Sequence, residues 1–143
     1  MGAPGPRTVL AFDFGLRTIG VAIGNALLGS ATALAPLTAR DGVPDWDRVR
    51  RLLDDWKPEL LLVGLPLNMD ATPSDMSARA ERFARRLSGR FGIASEMMDE
   101  RLSSFEARSR VDDYPPNVAL DSIAACLILE SWFAACTMDR GAR

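Results

Sequence analysis

The chain contains no histidine. That absence excludes histidine-based triads and the usual zinc arrangements. Cysteine is scarce: Cys126 and Cys136 stand ten residues apart in an apolar segment, a spacing that reads as two buried thiols rather than a disulfide or metal site. Lys57 is the only lysine among 17 basic residues, so the positive charge is almost all arginine, the better bidentate partner for phosphate. No charge of one sign dominates. The formal net charge is −2, and composition alone gives no electrostatic grip on nucleic acid. No run of about 18 uncharged apolar residues is present, and residues 1–7 carry glycine, alanine and proline rather than an apolar stretch. The expectation is a cytoplasmic protein without membrane association, with residues 1–7 a flexible lead-in, 8–138 one domain and 139–143 a short tail.

What is present reads as an α/β domain: 48% hydrophobic and 25% charged residues over 143 positions suit one ordinary core. Thr8 to Phe14, Ile19 to Gly24 and Ala31 to Leu37 read as three short successive strands, an antiparallel meander. Trp46, Val49, Leu52, Leu53 and Trp56 then recur at helical spacing until Pro58. Leu60 to Leu65 is a continuous apolar strand of the buried parallel kind. Ser74 is a credible N-cap for a helix whose Met76, Ala80, Phe83, Ala84 and Leu87 share a face. Ile93 to Met98 predicts a fifth strand, Ser103 or Ser104 caps a short helix, and an apolar helix runs from Leu120 to about Met138. The pattern is one mixed sheet covered by helices.

Three acidic positions fall at the ends of these elements. Alternation puts Val9, Ala11 and Asp13 on one strand face, so Asp13 ends an apolar strand with little polar company, where an ionised carboxylate needs a cation, hydrogen bonds or a metal. A turn-forming aspartate before Gly15 is an equally good reading of that fragment alone. Asp99 and Glu100 follow the fifth strand, where a solvated loop start is the ordinary explanation. Asp121 lies in the first turn of the last helix, at the angular position of Ala125, Ile128 and Trp132; its charge is favourable there through the helix dipole, yet it shares the core-facing side. Three acids at the ends of elements that pack together form a candidate oxygen-rich site for Mg2+ or Mn2+.

Four segments carry a more specific signal: Ala11 to Ala22 (AFDFGLRTIGVA), Val63 to Asn68 (VGLPLN), Asp99 to Ser104 (DERLSS) and Asp121 to Ala125 (DSIAA). In this order and at these distances they resemble the successive motifs of the YqgF/RuvX-like family, over roughly Thr8 to Phe133. The resemblance implies a ribonuclease H-like fold with a five-stranded mixed sheet. It also implies a divalent-metal-dependent nuclease described as acting in 5′-end maturation of precursor 16S ribosomal RNA, with an older description as a Holliday junction resolvase. By position, Asp13, Asp99 and Asp121 would be the catalytic, metal-binding acids, with Glu100 a further acid, and Arg17 and Arg101 would contact phosphate or make local ion pairs. On the Ser74 helix, Arg82 and Arg86, beside the apolar stripe with Arg79 and Arg90, are further substrate-binding candidates, although solvated arginines flanking a core face are the commoner reason for such a pattern. The implied partner is nucleic acid, with precursor ribosomal RNA first, branched DNA second, and a noncatalytic role on RNA or a ribosomal particle as the reading of a different class. The broad apolar surface of the last helix fits either deep burial in a monomer or a homodimer surface.

Overall fold

A computed structural model describes residues 8–66, 70, 72–99 and 111–141, and only the backbone at 111 and 137–141. The strands are β1 (Thr8–Asp13), β2 (Thr18–Asn25), β3 (Ser30–Arg40), β4 (Val43–Pro44), β5 (Leu60–Leu65) and β6 (Ser95–Asp99). Among the described residues the helices are α1 (Trp46–Trp56), α2 (Asp75–Phe91) and α3 (Leu120–Gly141), the last preceded by a 3-10 turn at Val111–Asp113. The strands make one mixed sheet in the order β4-β3-β2-β1-β5-β6, with β1, β2, β3 and β4 antiparallel in succession and β1, β5 and β6 parallel. The mixed sheet expected from the apolar pattern is therefore present, and its ribonuclease H-like architecture agrees with the resemblance.

One strand more than the five expected is found. The chain reverses after β3 through Asp41 and Gly42, both at positive φ (52° and 82°), and the two-residue β4 pairs Ala39 with Pro44. So short a strand, containing a proline, leaves no periodic trace in a sequence; proline at a sheet edge costs no ladder bond.

Strands β1, β2, β3, β5 and β6 each divide their side chains between two cores. Leu10 and Phe12 of β1, with Phe14 just beyond its end, join Val49 and Leu53 of α1 and Ala80, Phe83, Ala84 and Leu87 of α2 on one face. Val9 and Ala11 of the same strand join Ala125, Cys126, Ile128, Leu129 and Phe133 of α3 on the other. The apolar stripes of α1 and α2 therefore face the sheet as their spacing predicts. Asp45 caps α1, its side chain accepting from the Asp47 amide, and left-handed Lys57 (φ 47°) closes it ahead of buried Pro58. Ser74 caps α2 in a reciprocal box with Ser77, and both hydroxyls also bond the Pro66 carbonyl, tying the helix start to the end of β5. The periodicity misleads at Trp56, which is 44% exposed beside Thr8 and Ile23 at the far end of the sheet.

Helix α3 is buried at every position from Ser122 to Leu129. Ile123, Ala124 and Leu127, which point away from the sheet, are covered by Tyr114 and Val118 among the described residues, so its broad apolar surface is internal. Among the described residues no helix is long and apolar enough to cross a membrane. The predicted helix at Ser103 or Ser104 lies outside the described residues.

Candidate nuclease site

Because β1, β5 and β6 are parallel, their carboxyl ends share one rim of the sheet, and α3 begins over that rim. Asp13 closes β1 there, half-buried, on the α3 face with Val9 and Ala11. Its antiparallel partner is Gly20 of β2. A Cβ built on Gly20 would fall 2.0 Å from the Asp121 carbonyl oxygen and 2.8 Å from the Ser122 amide nitrogen. The first turn of α3 thus rests backbone against backbone on this strand, which only a glycine permits. Asp13 and Asp121, 108 positions apart in the chain, are brought to one place by their common neighbour Gly20.

The contact is locked by a feature of β3. Pairing of β2 with β3 runs Ile19 to Leu37 and then Val21 to Leu34, so Ala35 and Pro36 oppose Gly20 in a bulge. Proline fits there because it has no amide to pair. The bulge breaks the ladder beside Val21 and Leu34, and buried Ser122 replaces the missing bonds: its hydroxyl donates to the Leu34 carbonyl at 2.7 Å and accepts from the Val21 amide at 3.2 Å. One side chain in the turn that carries Asp121 therefore pins that turn to the strand pairing with Asp13. The sequence reading assigned no role to Ser122 or Gly20; the signals were a serine inside an apolar helix and a proline inside a strand.

Asp99 also lies on the rim, at the end of β6 and two strands from β1. Its side chain is exposed, and alternation puts it with Met97, which packs on the α1–α2 face, rather than with Met98, which packs toward α3. Two of the three predicted acids are thus gathered on one face and the third stands apart along the same edge. Among the described residues no three acidic or cysteine side chains are grouped closely enough to hold a metal ion. Glu100 and Arg101 lie outside the described residues. The pair Asp13 and Asp121 suits a hard divalent cation all the same, since Mg2+ commonly takes one or two protein carboxylates and completes its shell with water and phosphate oxygens.

The predicted phosphate contacts separate into two clefts. Arg17, in the β1–β2 turn, lines a cleft of about 580 Å³ with Arg40 and Arg48. Arg82 and Arg86 line a smaller one of about 160 Å³ with Arg79, Phe14 and Trp46. Arg90 is not among them: its guanidinium lies over the Trp46 ring at 4.3 Å, a packing role.

A mixed sheet with this strand order, covered by helices on both faces and carrying carboxylates at the carboxyl rim of its parallel strands, defines a ribonuclease H-like α/β protein. The chain belongs to the RuvX family, whose model, described as Holliday junction resolvase, matches residues 7–135. It is 58% identical over 140 residues, 94% of each chain, to a Chromohalobacter salexigens protein named "Putative pre-16S rRNA nuclease". It is 53% identical over 136 residues, 91% of this chain and 95% of the other, to an Azotobacter vinelandii protein of the same name. Among solved structures it resembles the fowlpox virus resolvase in complex with Holliday junction DNA, at a TM-score of 0.56, covering 90% of this chain and 98% of that one; the 15% identity makes this a likeness of fold. Family membership carries the class of activity: the chain is a nuclease, a hydrolase of phosphodiester bonds whose partner is nucleic acid.

Proposed function

We propose that the chain is a divalent-metal-dependent endonuclease that trims the 5′ end of precursor 16S ribosomal RNA, with Asp13 and Asp121 as the central metal-holding carboxylates. The observation that carries this reading is the convergence of Asp13 and Asp121 on Gly20, at the rim where α3 meets the sheet. The substrate follows the relatives named above, which span the same length as this chain. Asp99, at the end of β6 on the same rim, is the third proposed carboxylate, with Glu100 a further acid.

In this reading Asp13 and Asp121 would hold Mg2+ or Mn2+ through their carboxylate oxygens, and the chemistry such an ion would supply is Lewis-acid stabilisation of charge on the phosphate and a lowered pKa of bound water. The chain's own contribution is preorganisation. Gly20 sets the separation of the two acid-bearing backbones, Ser122 fixes the turn of α3 against β2, and Arg17, in the turn after Asp13, binds a phosphate of the approaching strand. With no histidine available, proton transfer falls to water and carboxylates.

The test compares wild-type protein with Asp13→Asn on precursor 16S ribosomal RNA and on a four-way DNA junction, with Mg2+ and Mn2+ separately. The expected result is cleavage of the RNA near its mature 5′ end, lost in Asp13→Asn while the fold persists by circular dichroism. Faster cleavage of the junction would transfer the assignment to branched DNA, and wild-type single-turnover rates in folded Asp13→Asn would remove Asp13 from the site.

A further inference from the structure

The two arginine-lined clefts are halves of one surface. Both are bordered by Asp41 and Val43 of the β3–β4 hairpin, so a chain leaving one enters the other. Together they present Arg17, Arg40, Arg48, Arg79, Arg82 and Arg86 against two aspartates, a surplus of four positive charges on a chain whose net charge is −2. Both aspartates are already engaged. Asp45 caps α1 through the Asp47 amide at 3.0 Å, and Asp41 pairs with Arg79 at 3.3 Å. Among the described residues, Arg17, Arg40, Arg48, Arg82 and Arg86 make no ion pair. Other arginines are spent on packing, Arg90 over Trp46 and Arg50 over Phe91. Arginines that converge on a cleft without an ion pair among the described residues are a different pattern from arginines bordering an apolar stripe.

The surface is also tied to the carboxylate rim. Gly42 donates to the Leu16 carbonyl at 2.9 Å and Ala39 donates to the Arg17 carbonyl at 2.8 Å, so the hairpin is hydrogen-bonded to the turn that follows Asp13. A Cβ at Gly42 would fall 2.8 Å from the Phe14 ring, showing how closely the hairpin sits on that turn. From β1 to β3 the rim spans two strand spacings, about 10 Å.

Resting on the nuclease reading above and extending it, we propose that the β3–β4 hairpin, with Arg40 and Arg48 beside Arg17, is a second phosphate-binding surface that grips the nucleic-acid backbone away from the cleaved bond. The backbone crosses from the Asp13 rim over Arg17 into the cleft of Arg40 and Arg48, then beneath the hairpin toward Arg82 and Arg86. The ligand chemistry is the phosphodiester backbone itself, which RNA and DNA share.

The experiment measures binding in the Asp13→Asn background by fluorescence anisotropy over a salt series, with structured precursor RNA and a four-way DNA junction as probes. An Arg40→Ala/Arg48→Ala double variant is compared with Arg51→Ala/Arg85→Ala, which removes the same charge from exposed helix positions outside both clefts. The cleft double is expected to bind about tenfold more weakly, with a log–log salt slope shallower by about 1.4 on single strands and about 1.8 on duplex. The control double should stay within about twofold. Loss on both probes assigns the surface to the shared backbone, and loss on one assigns it to that nucleic acid. Equal affinity and slope in the two doubles would overturn the proposal. Cleavage by the wild-type protein is read separately: cleavage with no selective loss in the cleft double overturns the surface alone, whereas selective loss without cleavage supports the surface and overturns the nuclease reading.

Discussion

The two faces of the sheet are covered in different ways. On one, α1 and α2 are amphipathic helices that meet the strands through side chains: Phe83 at the centre touches Phe12, Phe14 and Trp46, with ring centroids 5.3 to 6.2 Å apart. Side-chain packing of this kind has rotamers to adjust, and the outer surfaces of these helices carry the arginines. On the other face, α3 is buried at every position over two turns and meets β2 through backbone, at Gly20, with one serine completing the strand ladder. Backbone contacts have no rotamers to yield. In the proposed function, the face that would hold two carboxylates in fixed relation is the unyielding one, and the face that would offer charge to a long substrate is the adaptable one.

That contrast can be broken by substitution. The largest effect is expected on turnover rather than stability: Asp13→Asn removes a charge with little change in size and should lower single-turnover cleavage by several orders of magnitude while RNA binding changes much less. Next comes Gly20→Ala. Its methyl group has backbone, not a side chain, in its way, so α3 must move off the strand; a loss of about 3 kcal/mol in urea unfolding is expected, with cleavage falling further than the stability loss explains. Alanine tolerated at Gly20 with wild-type stability would show that the α3 face yields as readily as the other.

Ser122→Ala is a smaller step on the same face. It strands the Val21 amide and the Leu34 carbonyl beside the bulge, and about 1 to 3 kcal/mol of stability should be lost. Hydrogen exchange at Val21 distinguishes this cause from lost packing, since that amide should exchange faster while those of β1 do not. The smallest effect belongs to the adaptable face. Asp41→Asn breaks an ion pair whose partners are 79% and 51% exposed while asparagine keeps the positive φ of 52°, so stability should change by less than about 0.5 kcal/mol. Freed from Asp41, Arg79 should raise nucleic-acid affinity about twofold at low salt, an effect that fades as salt rises.

Legibility in the sequence followed the same division. Helices α1 and α2 were readable because a helix that packs through side chains writes its stripe at a 3.6-residue period, and the end of α1 and the start of α2 because Pro58 and Ser74 act locally. The parallel strand β5 was readable as an unbroken apolar run buried on both faces. Helix α3 was legible as a helix with Ala125, Ile128 and Trp132 on a core-facing side, but its remaining apolar sides gave no sign of what covers them. Strand β4 left no mark, being two residues held by a turn.

By itself the sequence determined the α/β class, the family, the mixed sheet and which acids deserved attention, because each of these is written in local periodicity or in ordered motifs. Asp13 was legible as an oddity, a carboxylate ending an apolar strand. Only the tertiary structure decided that Asp121 joins it while Asp99 takes the opposite side, that Gly20 and Ser122 set their spacing, and that arginines from a turn, a hairpin and two helices share one surface. The physical reason is that periodicity reports which face a residue occupies within its own element, whereas a site depends on how elements are laid against one another. Here that was settled by a bulge at Ala35 and Pro36, a glycine without a side chain and two hydrogen bonds between residues about a hundred positions apart.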